Sequence, residues 1–398
     1  MATAALRLLA CAFFSAGAAA PPTCINAVAC EKDQEGAVRA VSFMQKAMLR
    51  GPASLPAKPG LPRGYHSSDA IVQRLQELAA GDGACKAPLT AEWVSDTSPD
   101  APPLSRLFTV RLGAAKAPKR LFVVANEHAR ELITAEVALR FIEDACADDS
   151  ELLSLLSHVR ITVVPIVNLR GREQVENGAT CLRSTVDEGE GLIDLNRNAD
   201  VDFEASEDHG SEPFSTYQAR IIRDIAAAEQ PVAFLDLHSG AESLMVSWGN
   251  RPYTTVDYPD QLRLLELIKA RWCPKCPVGS NRVVIKYPNP GEIIDHMYLN
   301  QKVKYSTLWE VWVGNSDEGL PRWTDQPCML QFNPSPEQLG GVLVRWSGAI
   351  QSFAAFVHHN VTTDERTSPS TKQVSSLTGV GSVILPEAPM PPPDSLTT

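Results

Sequence analysis

Side chains able to hold a metal ion stand at two comparable places in this chain. The run Asn126-Glu127-His128-Ala129-Arg130-Glu131 follows an apolar, branched stretch, Leu121 to Ala125, and precedes a helical pattern. Residues three apart share a helical face, so His128 and Glu131 can reach one ion. In Phe234-Leu235-Asp236-Leu237-His238-Ser239 a histidine again ends an apolar run just before a turn. Imidazole nitrogen and carboxylate oxygen both suit zinc. Two histidines and one glutamate leave a fourth position open, which is the pattern of a catalytic site. Each element alone also has a plainer reading. A His-x-x-Glu pair arises by chance on many surface helices, and a lone strand-end histidine can be a satisfied core residue.

Two further groups bear on the chemistry. Glu310 is a lone acid in the apolar run Tyr305 to Trp312. Burying an unpaired carboxylate is costly. Glu310 therefore sits at an edge, pairs with a cation, or serves in function. Such surroundings raise a carboxyl pKa toward what a proton shuttle needs. Asp194-Leu195-Asn196-Arg197-Asn198 follows Cys181-Leu182-Arg183. Guanidinium groups bind carboxylates bidentately, so Arg183 and Arg197 suggest recognition of an anionic group, although the same residues suit a solvated loop.

Taken in order, these blocks resemble the zinc metallocarboxypeptidases related to pancreatic carboxypeptidases A and B. The resemblance runs from about Tyr65 to Val357. It rests on His128-Ala-Arg-Glu131-Leu-Ile, Asp194-Leu-Asn-Arg-Asn198, Lys304-Tyr-Ser-Thr-Leu-Trp-Glu310, and Tyr287 standing eight residues before Asp295. It implies one zinc ion held by His128, Glu131 and His238, with Asp194 orienting His128. It implies Glu310 as general base and then acid, and Arg183 as the group that polarises the scissile carbonyl. Asn196, Arg197 and Tyr287 would hold the substrate's terminal carboxylate, and Arg130 would lie further along the cleft. The substrate would be the C-terminus of a peptide or protein. Ile294, just before Asp295, implies an apolar or aromatic preference, and Glu292 leaves a basic or dual preference open. Two other readings stay open: a related zinc amidase acting on cell-wall or glutamate-conjugated peptides, and a non-catalytic binding module. The chain departs from the family in three ways. Ser239-Gly240 replaces the usual Ser-Tyr, one extra residue lies between Asp295 and Glu310, and the preamble is too short for a folded prodomain. At most a short peptide would be removed near Arg63.

Positioning such a site requires an α/β scaffold, and the patterning supplies one. Leu107–Leu112, Leu121–Ala125, Ile161–Val167, Val232–Leu237, Ser243–Trp248 and Lys304–Val311 read as strands. Ser68–Ala79, Thr134–Ala147, Ser215–Ala228, Pro259–Trp272 and Pro336–Val357 read as helices. The alternation predicts an α/β fold: a mixed, mostly parallel sheet covered by helices on both faces, within one domain, 65–358. In such sheets ligand sites gather at strand C-terminal ends. Residues 1–20 read as a secretory signal and 21–64 as a short preamble, with an amphipathic patch at Ala37–Leu49 and a proline-rich linker. Residues 359–398 read as a disordered tail rich in Ser, Thr and Pro. No stretch is long enough to span a membrane.

Nine cysteines, or eight without Cys11 of the signal, fit up to four disulfides in a secreted protein. Cys273-Pro-Lys-Cys276 lacks the second pair a zinc knuckle needs. Asn360-Val361-Thr362 is a glycosylation sequon. A net charge of −11 disfavours nucleic acid and anionic membranes as partners. A monomer is expected. The remaining histidines read as surface or structural.

Overall fold

The computed structural model describes residues 58–362 except 82, 100, 148, 187–190 and 315–326. The expected signal, the amphipathic patch, Cys24, Cys30 and most of the tail lie outside these residues. The described residues belong to one compact unit beginning at Lys58.

Its centre is an eight-stranded sheet: β1 (Leu89–Ser95), β2 (Arg106–Leu112), β3 (Lys119–Ala125), β4 (Val159–Val164), β5 (Ala233–His238), β6 (Ala241–Val246), β7 (Val278–Ser280) and β8 (Tyr305–Trp312), in the order β1-β2-β4-β3-β5-β8-β6-β7. The inner strands β4, β3, β5 and β8 run parallel, while β1, β2 and β6 join antiparallel neighbours. Alternation along the inner strands feeds two cores. Leu121, Val123 and Ala125 of β3 face one cluster, and Phe122 and Val124 face the other.

Helices α1 (Ser68–Ala79), α2 (Leu132–Cys146), α3 (Ser150–His158), α6 (Tyr258–Trp272) and α10 (Pro336–Asn360) contribute to the first cluster. Helices α5 (Tyr217–Glu229) and α8 (Ile293–Leu299) contribute to the second. Burial on both faces is why the inner strands read as continuous apolar runs. Short α4 (Leu169–Glu176), α7 (Asn281–Ile285) and α9 (Cys328–Phe332) lie in the connections. No helix among the described residues is long and apolar enough to cross a membrane.

Three disulfides join the described cysteines: Cys85–Cys146, Cys181–Cys328 and Cys273–Cys276. The segment ahead of Tyr65, read from its prolines as linker, packs on the unit. Gly60 N donates to the Glu176 carbonyl at 2.8 Å, and Lys58 Nζ reaches the Glu176 carboxylate at 2.7 Å.

Candidate metal centre

The site forms where β3, β5 and β8 end side by side. Val124 pairs with Asp236 and Ala125 with Leu237, while His238 is the register partner of Glu310. Parallel pairing therefore brings the ends of three segments far apart in sequence to one edge of the sheet.

After Ala125 the chain turns at Asn126, which has a φ of 55°. Few residues other than glycine tolerate this left-handed conformation, but asparagine does. The turn places His128 and Glu131 just before α2. His128 Nδ1 lies 2.7 Å from Glu131 Oε1 and 3.0 Å from His238 Nδ1, and His238 Nδ1 lies 3.3 Å from Glu131 Oε2. A tetrahedral zinc with ligands at about 2.0 Å needs donor separations of about 3.3 Å. Two imidazole nitrogens and a carboxylate, all buried, thus converge on one point, with one separation at that spacing and two tighter than it.

The outer nitrogens are also held. His128 Nε2 lies 3.1 Å from Asp194 Oδ1, and His238 Nε2 lies 2.9 Å from Asp236 Oδ2. Carboxylates on the far side of imidazole ligands fix the tautomer and the ring direction. Glu127 is a competing carboxylate, since it too comes within 4.8 Å of nitrogens of His128 and His238. It meets His238 from the Nε2 side, at 3.3 Å, whereas Glu131 closes on both Nδ1 atoms. Glu131 is therefore the better third ligand, and Glu127 backs His238.

Charge in the site is organised around that point. Burial would raise the Asp194 pKa, but Arg183 and His128 hold it well below the usual carboxylate range. Arg183 donates through Nε to Asp194 Oδ2 at 2.8 Å and brings Nη1 within 3.2 Å of His128 Nδ1, so it stands beside the metal position. Glu310 is half-buried at the cleft and accepts from Ala241 N at 3.2 Å. Burial and the nearby Glu131 push its carboxyl up to about 7. Glu127 is likewise pushed up to about 7, by burial and Asp236. This crowd of buried acids is a setting that a cation relieves.

The remaining predicted residues stand in different surroundings. Asn196 accepts from Ile293 N at 3.3 Å through Oδ1, and its carbonyl accepts from Arg197 Nη1 at 2.6 Å. Arg197 also donates to Asn289 Oδ1 at 2.5 Å and approaches Glu292 to 3.9 Å. Tyr287 is 56% exposed. Its phenol is raised by partial burial and feels the charges of Arg197, Glu310 and Arg183. Arg130 stacks over the Phe332 ring at 3.9 Å and approaches the Cys181 carbonyl to 3.4 Å. Ile294 is fully buried within the second core cluster, and its carbonyl accepts from Ser247 and Ser306. Glu292 is buried, accepts from Asn281 at 2.8 Å, and among the described residues has no hydrogen-bond partner at Oε2.

Sequence reasoning missed four contributors. Asp236 is an acid within a buried strand and Glu127 a buried acid just past a strand end; the signal that singled out Glu310 would have found them. Asn126 could have been found as a polar residue breaking an apolar strand. Phe332 carried no local signal. It packs where a side chain at position 240 would stand, since a Cβ on Gly240 would lie 2.7 Å from its ring. It therefore supplies an aromatic group beside the position where the expected tyrosine is missing.

A family model described as Zinc carboxypeptidase matches residues 95–340. Among solved structures, the chain resembles thrombin activatable fibrinolysis inhibitor, at 18% identity over 75% of each chain with a TM-score of 0.61. The bovine form of that protein, in complex with tick carboxypeptidase inhibitor, gives 18% identity over 75% of this chain and 98% of its own, with a TM-score of 0.59. Carboxypeptidase A from Helicoverpa armigera gives 17% identity over 82% of each chain and a TM-score of 0.62. Comparison with curated protein sequences yields no match.

Proposed function

Since this chain belongs to the zinc carboxypeptidase family, we propose that it removes single residues from the C-termini of peptides or proteins. The observation that carries this reading is the convergence of His128 Nδ1, His238 Nδ1 and Glu131 beside Glu310 and Arg183. When bound, zinc supplies Lewis acidity and brings the pKa of a water to about 7.

The chain's own residues do the rest. Glu310, held at the strand end, takes a proton from the attacking water and returns it to the leaving amine. A carboxyl poised near neutrality suits both halves of that task. Arg183, fixed by Asp194, offers the donors of its Nη nitrogens to the charge developing on the carbonyl oxygen. Arg197, Asn196 and Tyr287 bind the free carboxylate of the substrate, and their fixed separation from Arg183 makes the cut exopeptidic. Arg130, packed on Phe332, extends the cleft toward earlier substrate residues. The three disulfides support a secreted protein, matured in an oxidising compartment. A monomer acting on peptide substrates completes the reading.

For the released side chain, Ile294 supports an apolar or aromatic preference. A second reading, basic or dual preference, is favoured by Glu292 Oε2, which has no hydrogen-bond partner among the described residues. The test is a profile of residues released from a peptide library, with zinc present and after chelation, using free and C-terminally amidated peptides. Release of single residues from free C-termini alone supports the reading. Equal cleavage of amidated peptides overturns it in favour of an amidase, and no cleavage in either state leaves a binding module.

A further inference from the structure

The turn carrying His128 and Glu131 is held from inside by a side chain with no metal-binding role of its own. Asn126 is fully buried, and its Nδ2 lies 2.9 Å from the His128 carbonyl, 3.4 Å from that of Ala129 and 3.3 Å from that of Glu131. Its Oδ1 accepts from Arg172 Nη1 at 3.1 Å. These partners fix the amide orientation, because a guanidinium can only donate and carbonyls can only accept. Asn126 N donates to Thr134 Oγ1 at 2.9 Å, and the Asn126 carbonyl accepts from Asn168 N at 3.0 Å. Every polar atom of Asn126 is therefore in use.

Arg172 is fully buried as well. It also donates to the Leu132 carbonyl at 3.3 Å, the His66 carbonyl at 2.9 Å and Glu176 Oε1 at 3.1 Å, with Glu136 at 3.6 Å. A buried ion cluster built on α4 thus grips one end of the Asn126 amide, while the other end gathers the carbonyls of His128 and Glu131, the two expected metal ligands of this turn. Cores are bistable rather than continuously deformable, so such a pin sets one spacing of the turn.

We propose that Asn126, locked by Arg172, is a positioning residue that fixes the separation of His128 and Glu131 before the ion arrives. The proposal rests on the reading that these residues bind zinc. Asparagine serves here because it combines tolerance of the left-handed backbone with a donor and an acceptor on one short side chain. Glycine would keep the backbone and lose the clamp.

The test measures zinc affinity by chelator competition, together with the visible spectrum of the cobalt(II)-substituted protein. Wild type, Asn126→Gly, Arg172→Lys and the double variant are compared. Asn126→Gly is expected to weaken zinc binding by about 10–100-fold, the usual effect of losing a partner of a metal ligand, and to alter the cobalt bands. Arg172→Lys keeps the charge but not the fork that reaches Asn126, so it should weaken zinc binding too. The double variant should be no worse than Asn126→Gly, because Arg172 acts through Asn126. Zinc affinity within twofold of wild type in Asn126→Gly, or multiplying effects in the double variant, would overturn the proposal. If Asn126→Gly does not fold, Arg172→Lys decides: unchanged affinity and cobalt bands overturn it. A wild type that binds no zinc would instead defeat the metal reading itself.

Discussion

His238 and Glu310 are direct register partners on adjacent parallel strands, β5 and β8. The spacing between the histidine proposed as a metal ligand and the proposed base is therefore set by the sheet, where neighbouring strands lie about 4.8 Å apart, and not by a loop. Glu310→Gln should leave the zinc content unchanged and lower kcat by about 10²–10⁴, the usual contribution of a general base. Metal analysis and steady-state kinetics check this together. Turnover within a few-fold of wild type would remove Glu310 from the mechanism.

The outer face of His238 offers a second prediction. Asp236 Oδ2 lies 2.9 Å from its Nε2, with Glu127 behind. Asp236→Asn keeps the shape and removes the charge that fixes the ring. Zinc affinity should fall by about 10–100-fold, while kcat per bound zinc changes far less. Equal affinities for variant and wild type would show that Glu127 alone suffices.

Stability of the metal-free protein should fall as pH rises. Burial pushes Asp295 up to about 7, and burial with Glu131 does the same for Glu310. In the folded chain these groups keep protons that the unfolded chain has lost, so the unfolded state binds fewer protons across the interval. Their contribution is fully present below about pH 4, the ordinary carboxyl range, and is lost as pH rises through about 7. Thermal unfolding of chelated protein between about pH 5 and about pH 8 should show a falling Tm. Asp295→Asn should flatten the slope. A Tm that rises with pH would contradict the assignment.

Side-chain preference should itself depend on pH. Burial raises the Glu292 pKa well above the usual range, Arg197 lowers it, and Asp295 raises it further. On the reading that Glu292 faces the released side chain, its protonated form leaves that wall uncharged, which favours apolar residues. Ionised Glu292 attracts a lysine or arginine side chain. The ratio of Lys/Arg to Phe/Leu release should therefore climb with pH, and Glu292→Ala should lower and flatten it. Unchanged ratios in the variant would leave Ile294 as the main determinant.

The sheet's inner strands and the long helices were legible in the sequence because burial on both faces leaves uninterrupted apolar runs. β1 was not: it is an edge strand with a half-exposed alternating pattern, and Thr90 and Glu92 break its apolar signal. Helix α4 was hidden for a different reason. Its buried face carries Arg172 and Glu176, an ion pair that hydropathy reads as surface. At the site, His128, Glu131, His238, Asp194 and Glu310 stood out because their types and order are specific. Phe332 did not, since it reaches Gly240 and Arg130 only through the folded chain.

The segment from Lys58 to His66 carries a consequence for maturation. Arg63 is an open target, with its side chain 86% exposed. Yet residues on both sides of it are anchored: Lys58 and Gly60 to Glu176, Tyr65 to the Pro334 carbonyl, His66 to Glu136. A nick at Arg63 would therefore not liberate everything upstream at once. The stub ahead of the cut would stay as a noncovalent ligand of the folded unit, and the product would be a two-chain protein whose composition depends on dilution.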